Sequence, residues 1–219
     1  MLKKIAFIFL PGILLLLIVG FFYAYFAKHG DLEEKQKRYN EGLKVVKVRD
    51  NGFYPQAKLD YYDSLLAGYK VEGRELQLTL YYRCAALVEI GREKDAITTL
   101  EAILKNHVIG EDDPVFPHVQ KLLALAYLRL GERTNCVGNH MAESCIYPIR
   151  GDGVYTDPYA TQKAIAIYED VLRRNSKDLE ARWLLNIAYM TLGTYPAGVP
   201  ESMLIPGLNK DSSGIAVNP

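Results

Sequence analysis

Three apolar stretches of this sequence end in the same way, each on a glycine. They cover residues 82–91, 122–131 and 183–193, and their last residues are Gly91, Gly131 and Gly193. Apolar residues at helical spacing that stop on Gly are typical of a helix and its C-terminal end. A pattern that recurs within one chain predicts a helical repeat, in which each unit buries its apolar face against the next.

The recurring pattern resembles the tetratricopeptide repeat. That repeat has a small residue, an aromatic residue three positions later, a Gly that closes the first helix and an Ala that opens the second. The matching residues are Cys84, Leu87, Gly91 and Ala96 in the first unit, Ala124, Tyr127 and Gly131 in the second, and Asn186, Tyr189 and Gly193 in the third. Three residues depart from the repeat pattern, namely Leu87, Arg83 and Asn186. The resemblance implies an all-α domain over residues 75–206.

Local signals divide this domain into about two and a half helix pairs. Acidic residues and proline mark helix starts at Pro114 and Pro158. The last helix is expected to begin after Ser176 and to stop at Gly193. Prolines 196, 200 and 206 then bar a regular second helix. Helices are therefore predicted over 76–90, 93–106, 114–131, 158–174 and 178–193, and residues 207–219 are predicted to be a linker or tail.

A long insertion separates the two helices of the middle unit, over residues 132–160. Helix-to-helix loops usually have about 2 to 8 residues, and longer loops are commonly functional. This one contains Cys136, His140 and Cys145. Structural zinc sites need four ligands, so a disulfide between Cys136 and Cys145 is favoured outside the cytoplasm, with metal binding as the alternative. Cys84, at the small-residue position, is predicted to be a buried thiol.

The N-terminus predicts a membrane anchor. Residues 5–27 are apolar without a break, and twenty-three helical residues would span roughly 35 Å, more than the ~30 Å of a hydrocarbon core. Lys3 and Lys4 precede this run, which predicts an internal N-terminus. Residues 1–28 are therefore expected to be a transmembrane signal-anchor in the bacterial inner membrane, followed by a helical stalk and leading helix over 29–74 and a periplasmic domain.

A narrower resemblance concerns three pieces of the chain. Residues 135–149, 181–190 and 198–206 look like the N-terminal repeat region of bacterial exported proteins that continue into FG-GAP repeats and an ASPIC/UnbV module. That resemblance implies a β-propeller that this chain lacks. The partner would then be another protein or the chain's own missing C-terminal domain.

Several function classes are disfavoured by the sequence. The formal net charge is zero, so no basic face indicates nucleic acid. No G-x-S-x-G, H-E-x-x-H or Walker pattern indicates an enzyme, a cofactor or a small-molecule substrate. A membrane-anchored scaffold for protein–protein interaction is predicted. The alternatives are an accessory structural subunit of a larger membrane complex, and a metal or redox module formed by the insertion.

The predicted binding surface is the concave face lined by the first helix of each pair. Its inward positions are Leu78, Tyr81, Val88, Lys121, Leu125, Leu128, Trp183, Ile187 and Met190. Apolar residues at this spacing also suit an ordinary core. If the groove is open, the insertion is predicted to fill part of it and to leave Trp183 for the linker or a partner chain.

Overall fold

A computed structural model describes residues 18–23, 25, 32–42, 53–137, 143 and 147–208 of the chain. It divides into two compact units, Met1–Asn51 and Gly52–Pro219. In the first unit the described residues are helical. The second unit contains six α-helices and short turns, and no strand occurs within the described ranges. The helical part of the predicted fold class is thus observed.

The six helices of the second unit follow one another with short connections, apart from the insertion. They are α1 Pro55–Gly68, α2 Gly73–Glu89, α3 Glu93–Lys105, α4 Phe116–Glu132, α5 Tyr159–Arg174 and α6 Leu179–Thr191. A π-helical turn, Arg133–Val137, extends α4, and 3₁₀ turns lie at Gly151–Gly153 and Glu201–Met203. The predicted helix pairs are therefore present.

Each helix packs mainly on the helices next to it in the chain. In addition, α2 contacts α4 across the intervening α3. One continuous core runs through the array, and its fully buried members include Leu87, Leu100, Val119, Tyr168 and Leu185. Helices that follow one another in the chain therefore pack together, and α2 and α4 also touch.

One hydrogen bond recurs between successive pairs. Tyr127 on α4 donates to Glu101 on α3 at 2.6 Å, and Tyr189 on α6 donates to Glu169 on α5 at 2.5 Å. Both tyrosines occupy the aromatic position of the repeat pattern, and both carboxylates lie on the second helix of the preceding pair. Each bond therefore ties one pair to the next. In the first pair the corresponding residue is Leu87, which is fully buried.

Two of the three repeat glycines end a helix as predicted. Gly91 and Gly193 have φ values of 79° and 68°, which glycine adopts without a Cβ clash. The Arg92 N–H donates to the Leu87 carbonyl at 2.8 Å, and the Thr194 N–H donates to the Tyr189 carbonyl at 3.0 Å. These bonds form Schellman motifs, which satisfy carbonyls at the helix end.

The prediction that the middle helix stops at Gly131 is wrong. Here α4 continues through Glu132 and into the π-helical turn. The Thr134 hydroxyl donates to the Leu130 carbonyl at 2.9 Å, and the Asn135 amide donates to the Gly131 carbonyl at 2.9 Å. Side chains thus satisfy carbonyls that a glycine turn would otherwise satisfy. Gly131 instead allows close helix packing, since a Cβ there would lie 2.7 Å from Oγ1 of Thr161.

An irregular segment takes the place of the second helix in the last pair. Buried Asn186 holds it: its amide nitrogen donates to the Met203 carbonyl at 2.9 Å, and its oxygen accepts from the Ile205 N–H at 3.0 Å. Val199 and Met203 then join the hydrophobic core. As the prolines predicted, no regular α-helix follows Gly193 among the described residues. Asn186 binds the segment that takes its place.

The predicted transmembrane helix is corrected. Within the described part of the chain, no helix combines the length and the apolar character needed to cross a membrane. Only 18–23 and 25 of the predicted span 5–27 are described. The rest of that span lies outside the described residues. The inner-membrane, single-pass location depended on this helix and is corrected with it.

Candidate binding groove

The first helices of three successive pairs share one cavity of about 190 Å³. Tyr81 comes from α2, Lys121 and Leu125 come from α4, and Leu184 comes from α6. His118, Leu122, Tyr168 and Glu180 complete its walls. Leucine and tyrosine side chains supply apolar surface, while Lys121 and Glu180 supply charge. A cavity of this size suits one amino-acid side chain, since sites for drug-sized ligands usually occupy about 300–1,000 Å³.

Lys121 is the central charged group of this cavity. Its ammonium lies 2.7 Å from Oε2 of Glu180 and 3.2 Å from Oδ2 of Asp178. Burial lowers the pKa of Lys121, but the hydrogen bonds to Glu180 and Asp178 outweigh burial and raise that pKa above its ordinary value. Lys121 is therefore charged at neutral pH, and the three groups carry a net charge of about −1.

Asp178 has a second role at the start of α6. Its other oxygen accepts from the Ala181 N–H at 2.9 Å, as a helix N-cap. Burial raises the pKa of the Asp178 carboxyl, while the bonds from Ala181 and Lys121 outweigh it and hold that pKa below its ordinary value. Asp178 thus stays ionised and fixes Lys121 relative to α6. Glu180, whose side chain is 66% exposed, is the more adjustable partner.

Tyr168 on α5 forms part of the cavity wall. Its side chain is fully buried, and its hydroxyl has no hydrogen-bond partner among the described residues. Burial raises the pKa of Tyr168 well above its ordinary range, and the Glu180 and Asp178 carboxylates add to the shift. Buried hydroxyls normally have a hydrogen-bond partner, so this one is an exception.

The nine predicted groove positions separate by burial. Val88, Leu128 and Met190 are buried in the protein, so their side chains belong to the interior. Half-buried positions are Leu78, Tyr81, Lys121, Leu125 and Ile187, and Trp183 is 46% exposed. Tyr81, Lys121 and Leu125 meet in the cavity. The core interpretation therefore holds for three positions, while binding by the others stays a prediction.

Both ends of the insertion are joined by Asn135. Its amide nitrogen donates to the Asp157 carbonyl at 2.9 Å, and its oxygen accepts from the Asp157 N–H at 2.8 Å. The same nitrogen also donates to the Gly131 carbonyl at 2.9 Å. Since Asn135 is buried, these bonds fix where the chain leaves α4 and where it returns to α5.

The insertion packs along α6 and reaches further than predicted. Tyr147 stacks on Trp183, with ring centroids 6.2 Å apart and planes at 24°. The Tyr155 N–H donates to the Thr191 carbonyl at 2.8 Å. Leu128 and Ile187 share a cavity of about 340 Å³ with insertion residues Tyr147, Ile149 and Tyr155. The insertion thus covers part of the groove, as expected, but it also contacts Trp183, which was predicted to be left to the linker or a partner.

A cluster of tyrosines extends the groove toward α1. Tyr62 and Tyr82 are stacked, with centroids 5.9 Å apart, and Tyr81 meets Tyr82 edge-on at 5.1 Å. Tyr61 and Tyr82 are 59% and 50% exposed. Tyr81 belongs to both the cluster and the cavity around Lys121, so the two surfaces are continuous.

The cysteines and histidine of the insertion do not form a described site. Cys136 is buried on the π-helical turn, whereas His140 and Cys145 lie outside the described residues. No disulfide and no metal-binding group of His, Cys, Asp or Glu occurs among the residues described. The predicted pairing of Cys136 with Cys145 was argued from an extracytoplasmic location, and that argument no longer has a basis. Burial raises the pKa of Cys84 to about 11, which suits the inert thiol predicted there.

Sequence comparison gives no relative. No protein-family model matches the chain, and neither curated proteins nor solved structures give a match.

The sequence analysis did not identify Glu180 and Tyr168 as parts of the cavity. It also did not identify Asn135 and Asn186 as the residues that hold the irregular segments. An asparagine inside a helix-forming apolar run was the available signal for Asn186, because a buried amide requires hydrogen-bond partners. Tyr168 and Glu180 gave no comparable local signal. They meet Lys121 only through the packing of α4, α5 and α6.

Proposed function

We propose that residues 53–208 form a binding module of the tetratricopeptide-repeat type, whose groove holds an extended segment of a protein partner. The observation that carries this proposal is the cavity shared by Tyr81, Leu125 and Leu184, which lie on the first helices of three successive pairs. A solenoid presents such a shared surface to a partner. The Tyr127–Glu101 and Tyr189–Glu169 bonds support the repeat assignment.

The groove suits a peptide better than a small substrate. Its surfaces are two cavities of about 190 and 370 Å³ that share Tyr81 and His118 in their linings, which fits successive side chains of one chain segment. Tyrosine and tryptophan are enriched at binding sites because they bury large areas with few rotatable bonds. In this proposal the module acts by holding a partner and performs no chemistry.

Selection of peptides by the full chain tests the proposal. A library of displayed 12-residue peptides is selected on the purified protein, and the affinity of each selected peptide is measured by calorimetry. Replacing Leu125, a half-buried lining residue, with Glu is expected to weaken binding at least tenfold, since a charge would enter the apolar wall. Circular dichroism confirms that this variant is folded.

The matched control is Ala166→Glu, which adds the same charge at an exposed position of α5. It is expected to leave peptide affinity within twofold of the parent. The proposal is contradicted if no peptide is selected, or if Leu125→Glu and Ala166→Glu bind the selected peptides equally well.

A further inference from the structure

The Lys121 cavity shares two wall residues, Tyr81 and His118, with a second cavity of about 370 Å³. The other residues that line the second cavity are Tyr82, Pro114 and Val115. Tyr82 is 50% exposed. A bound segment that crosses from one cavity to the other therefore passes both the tyrosine rings and the charged groups around Lys121.

One negative charge in this surface is not balanced. The Lys121 ammonium is shared by the carboxylates of Asp178 and Glu180, at 3.2 and 2.7 Å, so the three groups have a net charge of about −1. The N-terminus of α6 carries roughly half a positive charge, which reduces this excess without cancelling it. The groove therefore keeps a negative charge next to its apolar and aromatic walls.

The neighbouring helix and the rest of the unit do not supply a balancing cation. Both basic residues of α2 are paired with acids, Arg74 with Asp113 at 2.9 Å and Arg83 with Asp63 at 2.5 Å. Residues 53–208 contain 16 Lys and Arg against 20 Asp and Glu, whereas the full chain has equal numbers. The part of the chain that forms the groove is thus acidic, and a net negative charge attracts a positively charged partner.

Glu180 is the acid that a partner can reach. Its side chain is 66% exposed, whereas that of Asp178 is 15% exposed. Lys121 donates to Oε2 of Glu180, which leaves Oε1 as an acceptor. The two oxygens of a carboxylate can accept from two different donors, so Glu180 can bind a second cation while it holds Lys121.

Charge complementarity then ranks the side chains that a partner could place here. A carboxylate would be repelled by the excess negative charge, and a neutral side chain would gain nothing from it. A positively charged side chain at the exposed Glu180 gains more from the two carboxylates than it loses to Lys121. The rings of Tyr81 and Tyr82 provide cation–π surface beside this point.

We infer that the groove takes a basic segment of the partner, in which a lysine or arginine side chain pairs with Glu180 and lies against Tyr81 and Tyr82. The inference rests on the proposed function and specifies the charge of the segment that the groove holds. An exposed ion pair contributes little to affinity by itself. The charge therefore sets a preference between partners, while the apolar walls supply most of the binding.

The peptide selection on the full chain tests this preference. Peptides selected on the parent are expected to contain Lys and Arg more often than the unselected library. In the tightest binder each Arg is replaced in turn by citrulline and each Lys by acetyl-lysine, which remove the charge at nearly the same shape. At one position the replacement is expected to weaken binding at least threefold in calorimetry at low ionic strength, where exposed pairs are least screened.

Glu180→Gln removes the acid that this side chain is expected to meet. The variant should bind the basic peptide at least threefold more weakly than the parent, and the neutralised peptide as tightly as the parent does. Glu201→Gln is the matched control, because Glu201 is exposed and lines neither cavity. Equal weakening by both variants would show that the charge of the whole unit, and not Glu180, attracts the segment, and it would overturn the inference.

Glu180→Lys tests whether the preference can be reversed. It changes the net charge of the three groups to about +1, so selection on this variant is expected to yield Asp and Glu in place of Lys and Arg. Circular dichroism confirms that the three variants are folded.

The inference is overturned if peptides selected on the parent carry no excess of Lys and Arg, if neutralising them leaves affinity unchanged, or if Glu180→Lys selects the same peptides. Uncharged peptides whose binding is weakened by Leu125→Glu would still support the proposed groove. Selection that yields no peptide would contradict the proposed function itself, and the inference with it.

Discussion

Buried amides at single positions hold the irregular parts of this protein to its helices. Asn135 joins the two ends of the insertion, and Asn186 holds the segment that follows α6. A side-chain amide can donate and accept at once, so it satisfies backbone groups that lack a helical partner. Asn135 and Asn186 thus mark the two places at which the chain departs from regular helices.

Replacing Asn186 with Ala is expected to lower the free energy of unfolding by about 2–4 kcal/mol, because the Met203 carbonyl and the Ile205 N–H lose their partner. Urea unfolding followed by circular dichroism measures the change. Asn175→Ala is the matched control, since exposed Asn175 accepts only from the nearby Lys177 N–H. Equal effects of the two variants would show that the Asn186 bonds do not hold this segment.

Tyr189 makes a pH-dependent contribution to the free energy of unfolding. Burial, with the bond to Glu169 adding to it, raises the pKa of Tyr189 to about 12. Folded Tyr189 therefore keeps its proton where an unfolded tyrosine, with a pKa of about 10, loses it, so stability falls as pH rises through this range. The stability difference between the parent and Tyr189→Phe is expected to be complete at pH 8 and to shrink between about pH 10 and 12.

Urea midpoints of both proteins at pH 8, 10 and 11 measure that difference. Tyr69→Phe serves as the control because Tyr69 is 70% exposed. A difference that stays constant with pH would contradict the raised pKa.

The first helices of the three pairs, α2, α4 and α6, end in two ways. Glycine with positive φ ends α2 and α6, and the chain turns at once. In α4 the side chains of Thr134 and Asn135 satisfy the last carbonyls, and the chain continues into the insertion. Gly131, unlike Gly91 and Gly193, does not end its helix. Its lack of a Cβ instead allows close packing of α4 on the start of α5.

Gly131→Ala is expected to destabilise the protein by about 1–3 kcal/mol, because its Cβ would lie 2.7 Å from Oγ1 of Thr161. Gly68→Ala, at the end of α1 with no atom within 4 Å of its Cβ position, is the control and should be neutral or slightly stabilising. Adding Thr161→Ala should recover part of the loss, and urea unfolding of the double-mutant cycle measures this coupling. Strictly additive effects would mean that Thr161 is not the obstacle.

In the second unit, two segments of the chain that are not regular helices pack on α6. The insertion packs on α6 through Tyr147 and Tyr155, and the segment after Gly193 packs on it through Asn186. The Lys121 cavity, formed by the central and first pairs together with α6, stays partly open. This arrangement confines the proposed groove to the stretch around Lys121.

The fluorescence of Trp183, the single tryptophan, measures whether the insertion covers α6 in solution. Tyr147→Ala is expected to raise acrylamide quenching of its fluorescence, because the stacked ring at 6.2 Å would be removed from a tryptophan that is already 46% exposed. Tyr69→Ala, at the opposite end of the array, should leave quenching unchanged. Equal quenching in the parent and Tyr147→Ala would show that the insertion does not cover Trp183 in solution.

The sequence by itself determined the helices, their order and two of their three glycine endings, since helical periodicity and end signals act within a few residues. It also predicted that no regular helix follows Gly193, which holds for the described residues, and that the Cys84 thiol is buried. It did not show that α4 passes Gly131, nor that Asn135 and Asn186 bind segments about twenty positions away.

The charges of the groove were likewise decided by tertiary structure. Lys121 lies more than fifty positions from Glu180, and only the packing of α4, α5 and α6 brings them and Tyr168 to one cavity. The transmembrane prediction is corrected because no helix among the described residues is long and apolar enough to cross a membrane. Local pattern determines elements, whereas a site requires contacts between residues that are distant in the chain.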